Sequence, residues 1–523
     1  MDISNRTTIS IGADKYASLI THEPAKYTGL GEDKPSGKIG RPVGDMKKIV
    51  SLVDRGIFDE IVYPKESDQT LLQPVNESYH NFIQTIEEFG FAGGSTWGQR
   101  LTFEMPKKIF DSSVGDFLNY ITLRIKPGTW FNYDIYKKLQ SGRFVYEDIS
   151  GTWCYASSLG TIAIEYAEME VDGIIIERID SNYINIMNKI NNTSNELCMY
   201  DDSVIGERAK YQYDEGETCA LSTYPTEDGY VYINLPFWFT KHTNTAFPLA
   251  SCDRPVRFHI KLRPFYEVVR KLYNPKECKE MPVAQTIAMV DTEFPFHFVV
   301  NVNTITSIPA LESATILCGL SHIDGELRKA YVERPHDLLM NSVNIIHFSE
   351  PLKYVVGTPE SDTIKVGLPL DAFNGPLSKI IFVLRRKEVS AWSDWNNYSG
   401  TLLNEADPVF NPVSPLLVRA QLMVGTCVYI DEDERYWNQY GGIHEIGGIQ
   451  VSGNYIYAYS FGEKPGIFSP SGSINASRID LRLNLTVRPP GGSADGEWEV
   501  FVYGLSYNWM KFENGLANMV FMD

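Results

Sequence analysis

Residues 233–264 read INLPFWFTKHTNTAFPLASCDRPVRFHIKLRP. The end of this stretch, Val256 to Leu262, alternates: Arg257, His259 and Lys261 fall on one side, Phe258, Ile260 and Leu262 on the other. A period of two marks a half-buried strand. Its beginning, from Val231 to Phe239, is strand-like and dense in aromatics, and Thr240 to Pro255 reads as a loop between the two. Pro236 and Pro248 lack an N–H for a ladder, so they belong at strand starts, edges or bends. On these residues alone the stretch predicts two strands of a β-sandwich.

Beyond this stretch, the whole chain has 523 residues. Single cores stop growing at about 250–300 residues, so two domains are expected. Hydrophobic residues make up 43% of the chain, enough for sizeable cores, and 30 Tyr, 26 Phe and 9 Trp favour β structure. The net charge of −19 keeps a concentrated protein soluble. It also argues against a nucleic-acid binder, which would carry a basic stripe, because Arg385-Arg386-Lys387 is the longest basic run. The seven cysteines (154, 198, 219, 252, 278, 318 and 427) are scattered and include no C-x-x-C, so neither a disulfide framework nor a zinc site is expected. The opening MDISNRTTIS has no charged region followed by an apolar run, so no signal peptide is expected, and no apolar segment is long enough to span a bilayer.

In chain order, residues 1 to about 50 are polar and turn-rich, an irregular arm that would order only against neighbours. Ile49, Leu52, Val53 and Ile57 have helical spacing, and Tyr79 to Phe89 reads as a second short helix. Gly90 to Gly98 is Gly-rich but lacks the G-K-[ST] ending of a phosphate loop, so a lead-in to a strand is expected. Strands follow at Leu101 to Met105 and Phe117 to Ile125. Asp172-Gly173 lies between two apolar runs, a hairpin signal, and Tyr183 to Ile190 predicts a short helix. Asp201 to Glu217 reads as an acidic surface loop, and Phe265 to Val290 as an inter-domain connection. Farther on, Ala314 to Leu320 and Gly375 to Arg385 predict strands, Leu338, Leu339 and Met340 an apolar group on a short helix, and Asp431 to Arg435 a solvated loop or else a contact with a neighbouring copy. Val171-Asp172-Gly173 and Ile323-Asp324-Gly325 echo one another, a hint of internal duplication.

Several segments together resemble the major capsid proteins of nucleocytoplasmic large DNA viruses. They are L-P-F-W-F with F-P-L-A (carrying Pro236, Trp238 and Pro248), the hairpin around Asp172-Gly173, and Gly375 to Arg385. The fullest match is Tyr455 to Ile479, where Y-x-Y-S-F precedes Pro470-Ser471-Gly472, Asn475, Ser477 and Arg478. The last, Tyr507 to Leu516, carries Asn508 and Gly515. Pro-Ser-Gly makes a sharp turn, Asn and Ser cap local backbone groups, and Arg478 offers a bidentate fork that would tie the corner to the sheet. The resemblance implies an all-β double jelly roll, two consecutive eight-stranded antiparallel sandwiches with long loops and short helices. The boundaries expected are an arm at 1–85, a first jelly roll at 86–264, a linker at 265–290 and a second jelly roll at 291–523. It further implies a homotrimer of pseudo-hexagonal outline that tiles an icosahedral shell. Neighbouring capsomers, minor capsid proteins and penton proteins would be its partners, and an inner membrane an indirect one. The virion capsid, assembled in the host cytoplasm, would be its location.

An enzyme is not expected. The nine histidines form no H-x-x-x-H pair, and G-x-S-x-G and the P-loop are both missing, so no catalytic, cofactor-binding or metal-binding residue is assigned. The rival reading is a carbohydrate-binding or glycoside-acting β-sandwich, for which no residue pair stands out among the many carboxylates. Sequons occur at Asn5, Asn76, Asn191, Asn192, Asn397, Asn475 and Asn484, but without a signal peptide host secretory glycosylation is not expected.

Overall fold

The computed structural model describes residues 82–106, 114–127, 153–155, 159–191, 209–212, 218–221, 230–241, 245–274, 279–282, 310–354, 363–390, 395–401, 413–441, 455–463, 470–488 and 496–520. The arm at 1–50 and the helix expected around residues 49–57 lie outside them.

Sixteen strands build the two sandwiches. The first uses β1 (Phe82–Ala92), β2 (Arg100–Met105), β3 (Phe117–Lys126), β4 (Ile164–Val171), β5 (Ile174–Asp180), β6 (Val231–Asn234), β7 (Val256–Leu262) and β8 (Ser313–Ile323). Its two sheets run β1-β8-β3-β6 and β2-β7-β4-β5, joined where the tail of β1 turns across to pair Phe91 with Phe103 on β2. The second uses β9 (His336–Tyr354), β10 (Ile364–Pro369), β11 (Pro376–Arg386), β12 (Leu417–Val424), β13 (Cys427–Asp433), β14 (Tyr457–Ser460), β15 (Leu481–Val487) and β16 (Gly496–Glu513). Its sheets run β9-β16-β11-β14 and β10-β15-β12-β13. In each sandwich the first strand therefore lies beside the eighth and the second beside the seventh, the jelly-roll order. Helix α1 (Ser181–Asn191) follows β5, and α2 (Gly325–Glu333) joins the two sandwiches.

The opening stretch folds as read at both ends. In β7, Phe258, Ile260 and Leu262 are fully buried, and β7 pairs with β2 and β4 on its two sides. Between β6 and β7 the chain packs Phe237, Trp238, Phe239 and Phe247 with Phe258 in a nest of rings 5.7–6.4 Å apart. Each such ring contributes about 1.5–3 kcal/mol by leaving water. Asp172-Gly173 makes the β4–β5 turn with φ of 55° and 85°, the left-handed backbone that Asp tolerates and Gly favours.

Several expectations differ from the structure. The spacing of Tyr79 to Phe89 predicts a helix, yet Phe82–Ala92 is a strand, because β8 supplies nine consecutive partners from Phe82↔Ile323 to Gly90↔Thr315. The boundaries move for the same reason. Ser313–Ile323 pairs with β1 and β3, so it lies in the first sandwich although the sequence placed residues from 291 onward in the second. The expected linker at 265–290 contains strands Val269–Asn274 and Lys279–Pro282, which form a small sheet with Trp153–Tyr155. Part of the acidic loop is a hairpin, Ala209–Gln212 with Thr218–Leu221. Leu338 to Met340 belongs to β9, drawn out by pairing with β16 from His336 to Tyr354, while the helix lies earlier, at Gly325–Glu333. Asp431 to Asp433 ends β13 rather than forming a loop. Asp324 does not make a turn like Asp172: it caps α2 by accepting from the Leu327 N–H at 2.9 Å. The residues that answer Asp172-Gly173 in the second sandwich are Gly425-Thr426, between β12 and β13.

Candidate functional site: the buried seam between the sandwiches

Outside their own cores, the two sandwiches bury charged groups against each other. Two elements of the first sandwich bring them there. Strand β5 carries Glu177 and Asp180, and α1 carries Asn182, Tyr183 and Asn185. Asp180 starts the helix by accepting from the Tyr183 N–H at 2.7 Å.

Glu177 is 3% exposed. Its two oxygens accept from main-chain N–H groups of different sandwiches, Trp238 at 2.8 Å and Val343 at 3.1 Å. Burial pushes its carboxyl above the ordinary range, against the pull of Lys241 and the two N–H donors. Lys241 donates to the Asn341 carbonyl at 3.1 Å, and burial pulls its ammonium down while Glu177 holds it up. Asp180 accepts from the Tyr503 hydroxyl at 3.2 Å, and burial raises its carboxyl too. The Tyr183 and Tyr503 rings lie 5.4 Å apart.

Beside them sits Arg385, buried near the end of β11. It donates to Glu499 Oε1 through Nε at 3.0 Å and Nη2 at 2.6 Å, and through Nη1 to Asn182 across the seam at 2.8 Å. Its guanidinium stacks 4.9 Å from the Phe501 ring centre. The His347 ring nitrogen Nε2 lies 2.8 Å from the other Glu499 oxygen. Burial would raise the Glu499 carboxyl, but the His347 hydrogen bond and the Arg385 charge together lower it to about 2. From the first sandwich, Arg263 donates to Ser181 and lies 4.6 Å from the ring centre of Trp395 in the second. Asn185 donates to the Tyr398 hydroxyl at 3.0 Å, and burial lifts that phenol to about 12.

Farther along, Asp172 Oδ2 accepts from the Ala517 N–H at 2.9 Å, and the Asp253 N–H donates to the Gly515 carbonyl at 2.6 Å. Phe247 of the first sandwich meets Phe512 of the second at 5.7 Å. Such an arrangement fixes one sandwich against the other by many directed contacts. Its charged groups are all engaged with one another or with backbone. Among the described residues no group of three or more His, Cys, Asp or Glu could hold a metal ion, and no helix is long and apolar enough to cross a membrane.

The residues singled out from sequence fall in three places. Pro236, Trp238 and Pro248 are buried at the aromatic nest, where Trp238 also donates its N–H to Glu177. Gly515 and Asn508 lie in the closing hairpin. Gly515 has φ 78°, and a Cβ there would stand 2.1 Å from Asp253, so only glycine fits against the first sandwich. Asn508 accepts from the Trp509 N–H at 2.8 Å. Pro470, Ser471, Gly472, Asn475, Ser477 and Arg478 form a corner against β11. There Gly472 approaches the Phe461 carbonyl so closely that a Cβ would lie 2.6 Å from it, Asn475 pairs with Pro376, and Ser477 Oγ accepts from the Gly375 N–H at 2.8 Å. Arg478 itself is exposed and makes no hydrogen bond or ion pair among the described residues. The tie expected of it is supplied by Ser477 and the backbone.

The seam charges were not singled out from sequence. Sequence marks Arg385 and Arg386 as part of a basic run, with Arg385 ending a strand, yet they are 7% and 3% exposed. The available signal was their position: they end the apolar run Ile380 to Leu384, where a strand buried on both faces leaves no water for a charge.

A family model described as "Large eukaryotic DNA virus major capsid protein" matches residues 328–518, and one described as "Major capsid protein N-terminus" matches residues 70–296. The major capsid protein of Pyramimonas orientalis virus is 22% identical over 375 residues, covering 69% of this chain and 76% of that protein. That of Spodoptera frugiperda ascovirus 1a is 19% identical over 393 residues, covering 74% and 75%. The Faustovirus major capsid protein shares the fold with a TM-score of 0.61 at 10% identity, over 98% of this chain and 100% of that one. VP54 of PBCV-1 does so with a TM-score of 0.58 at 13% identity, over 86% and 100%. The matched regions take in most of both sandwiches in the order the chain carries them, and with the repeated jelly-roll topology they lead to one conclusion: this chain belongs to the family of large eukaryotic DNA virus major capsid proteins, a structural component of the virion capsid and not an enzyme.

Proposed function

We infer that three copies of this chain assemble into a capsomer of pseudo-hexagonal outline and that such capsomers tile an icosahedral shell. The observation that carries this reading is the repeated strand order within one chain. Three chains then supply six alike modules, and six alike modules can close a near-sixfold ring. The rigid seam supports it, because modules that tile must hold a fixed angle to each other. The work is done by interface burial and complementarity, with stable contacts burying about 1,200–2,000 Å² each.

On this reading the immediate partners are further copies of the chain. Minor capsid and penton proteins join them in the shell, an inner membrane lies beneath, and assembly takes place in the host cytoplasm. The net charge of −19 favours no direct contact with the genome. Light scattering on the purified chain tests the reading: a stable species of three chain masses is expected, and a monomer across a wide concentration range overturns it. Deleting residues 1–50 should leave that trimer intact and impair assembly of the shell.

A further inference from the structure

Because the sandwiches share a strand order, each surface on one has a counterpart on the other. Strands β5 and β13 both have seven residues and both end in an aspartate that starts a helical turn. Asp180 accepts from the Tyr183 N–H at 2.7 Å, and Asp433 from the Tyr436 N–H at 2.9 Å. Asp433 thus answers Asp180, Tyr436 answers Tyr183, and Ile430 answers Glu177.

The counterparts differ in what covers them. Strand β5 and α1 are covered by the outer face of β9, β16 and β11, through Val343, Tyr503 and Arg385. Strand β13 is the edge of its sheet and lies open: Val428 and Tyr429 are each 53% exposed, and Tyr440 in the following turn is 50% exposed. The Tyr429 ring is held in place edge-on against Tyr459 at 5.7 Å. An exposed apolar edge strand is a pairing hazard unless something covers it.

The receiving face has an open counterpart as well. On the first sandwich it is the outer face of β1, β8 and β3. There Ile86, Gly319 and Tyr120 stand in one row across the three strands. Ile86 is 64% exposed and Tyr120 41%. The Tyr120 ring lies flat over Gly319, where a Cβ would come within 2.1 Å of it. Arg124 and Lys126 share this face of β3, where Arg124 pairs with Glu88 and Lys126 with Glu312 at 2.8 Å, so the row is bordered by neutralised charges.

We propose that β13 and the turn after it, through Val428, Tyr429 and Tyr440, dock on the Ile86–Gly319–Tyr120 row of a second copy of this chain. The contact repeats between chains what β5 and α1 do within one. It is heterologous, so it closes into a ring when the rotation between copies allows. The proposal rests on the trimer reading above and names the surfaces that make it.

The test is light scattering on the full chain carrying Ile86→Lys or Tyr429→Lys, with circular dichroism melting curves to confirm folding. Each substitution should cut the trimer fraction at least tenfold at a fixed concentration with the melting curve unchanged. Ile86→Lys combined with Tyr429→Glu should restore it. Should a charged variant lose solubility, Ile86→Ser and Tyr429→Ser give the same readout. Trimers that persist in either single variant, or a charge pair that fails to restore them, overturn this contact and leave the trimer reading standing. A wild-type chain that is monomeric overturns both.

Discussion

Two arginines separate what sequence pattern conveys from what burial decides. Arg478 sits inside the fullest motif of the chain, yet it is exposed and its neighbour Ser477 ties the corner. Arg385 only closes a strand-like segment, with no role that its motif gives it, yet it is 7% exposed and engaged by Glu499, Asn182 and Phe501. Removing one partner of a buried pair leaves the other uncompensated, which costs about 3–5 kcal/mol. An exposed charge is worth about 0–1 kcal/mol. Arg385→Ala should therefore lower the denaturant midpoint steeply, and Arg478→Ala should leave it nearly unchanged; equal effects would contradict this ranking. Glu499 gives the pH dependence. Its carboxyl is lowered from 4.5 to about 2 in the folded chain, so the stability it contributes is present above about pH 4.5 and is lost as pH falls toward 2. That shift corresponds to about 3 kcal/mol. Glu177 and Asp180 act with the opposite sign: their raised carboxyls favour the folded state as pH falls from above into their range. Stability measured against pH should fall below about 4.5, and Glu499→Gln should flatten that fall while leaving the opposite trend above it.

Elements with local signals were legible, and those set by distant pairing were not. The β4–β5 hairpin was visible because Asp172-Gly173 supplies the turn by itself, and β7 because its alternation matches a face buried on one side. Strand β1 was misread because its outward residues, Phe82 and Ile86, are apolar and exposed, which blurs the period of two. Its conformation is imposed by β8, more than 200 residues away in sequence. The duplication was real, but the echo that suggested it paired the wrong turns. The residues that do correspond, Asp180 with Tyr183 and Asp433 with Tyr436, share a D-x-x-Y spacing too short to stand out. That spacing makes a prediction about α1. Asp180→Ala removes its cap, worth about 1 kcal/mol, and also strips the Tyr503 hydroxyl of its acceptor inside the seam. Asp433→Ala removes only the cap of an exposed turn. The first should lower the melting temperature clearly more than the second, and the reverse order would show that the cap, not the seam, dominates.

For the whole molecule the question is whether the two sandwiches unfold together. Each has its own jelly-roll strand order, so separate melting would be the default for two domains. The seam argues otherwise. Glu177 accepts one N–H from each sandwich, and Arg385 reaches Asn182 while Tyr503 reaches Asp180. If one sandwich unfolds, the other is left with buried charges and polar groups facing water in geometries built for partners, and with Phe247 stripped of Phe512. The loss is shared, so unfolding either half removes stability from the other. Calorimetry of the intact chain should show a single transition. Glu177→Ala should uncouple the halves, because it deletes a side chain that holds main-chain donors of both and leaves the half-buried Lys241 without its counter-charge. In that variant the transition should split into two, with the lower step well below the wild-type midpoint. Two transitions in the wild type, or one unshifted transition in Glu177→Ala, would mean that the sandwiches are joined by apolar packing alone and that the buried charges have no part in their cohesion.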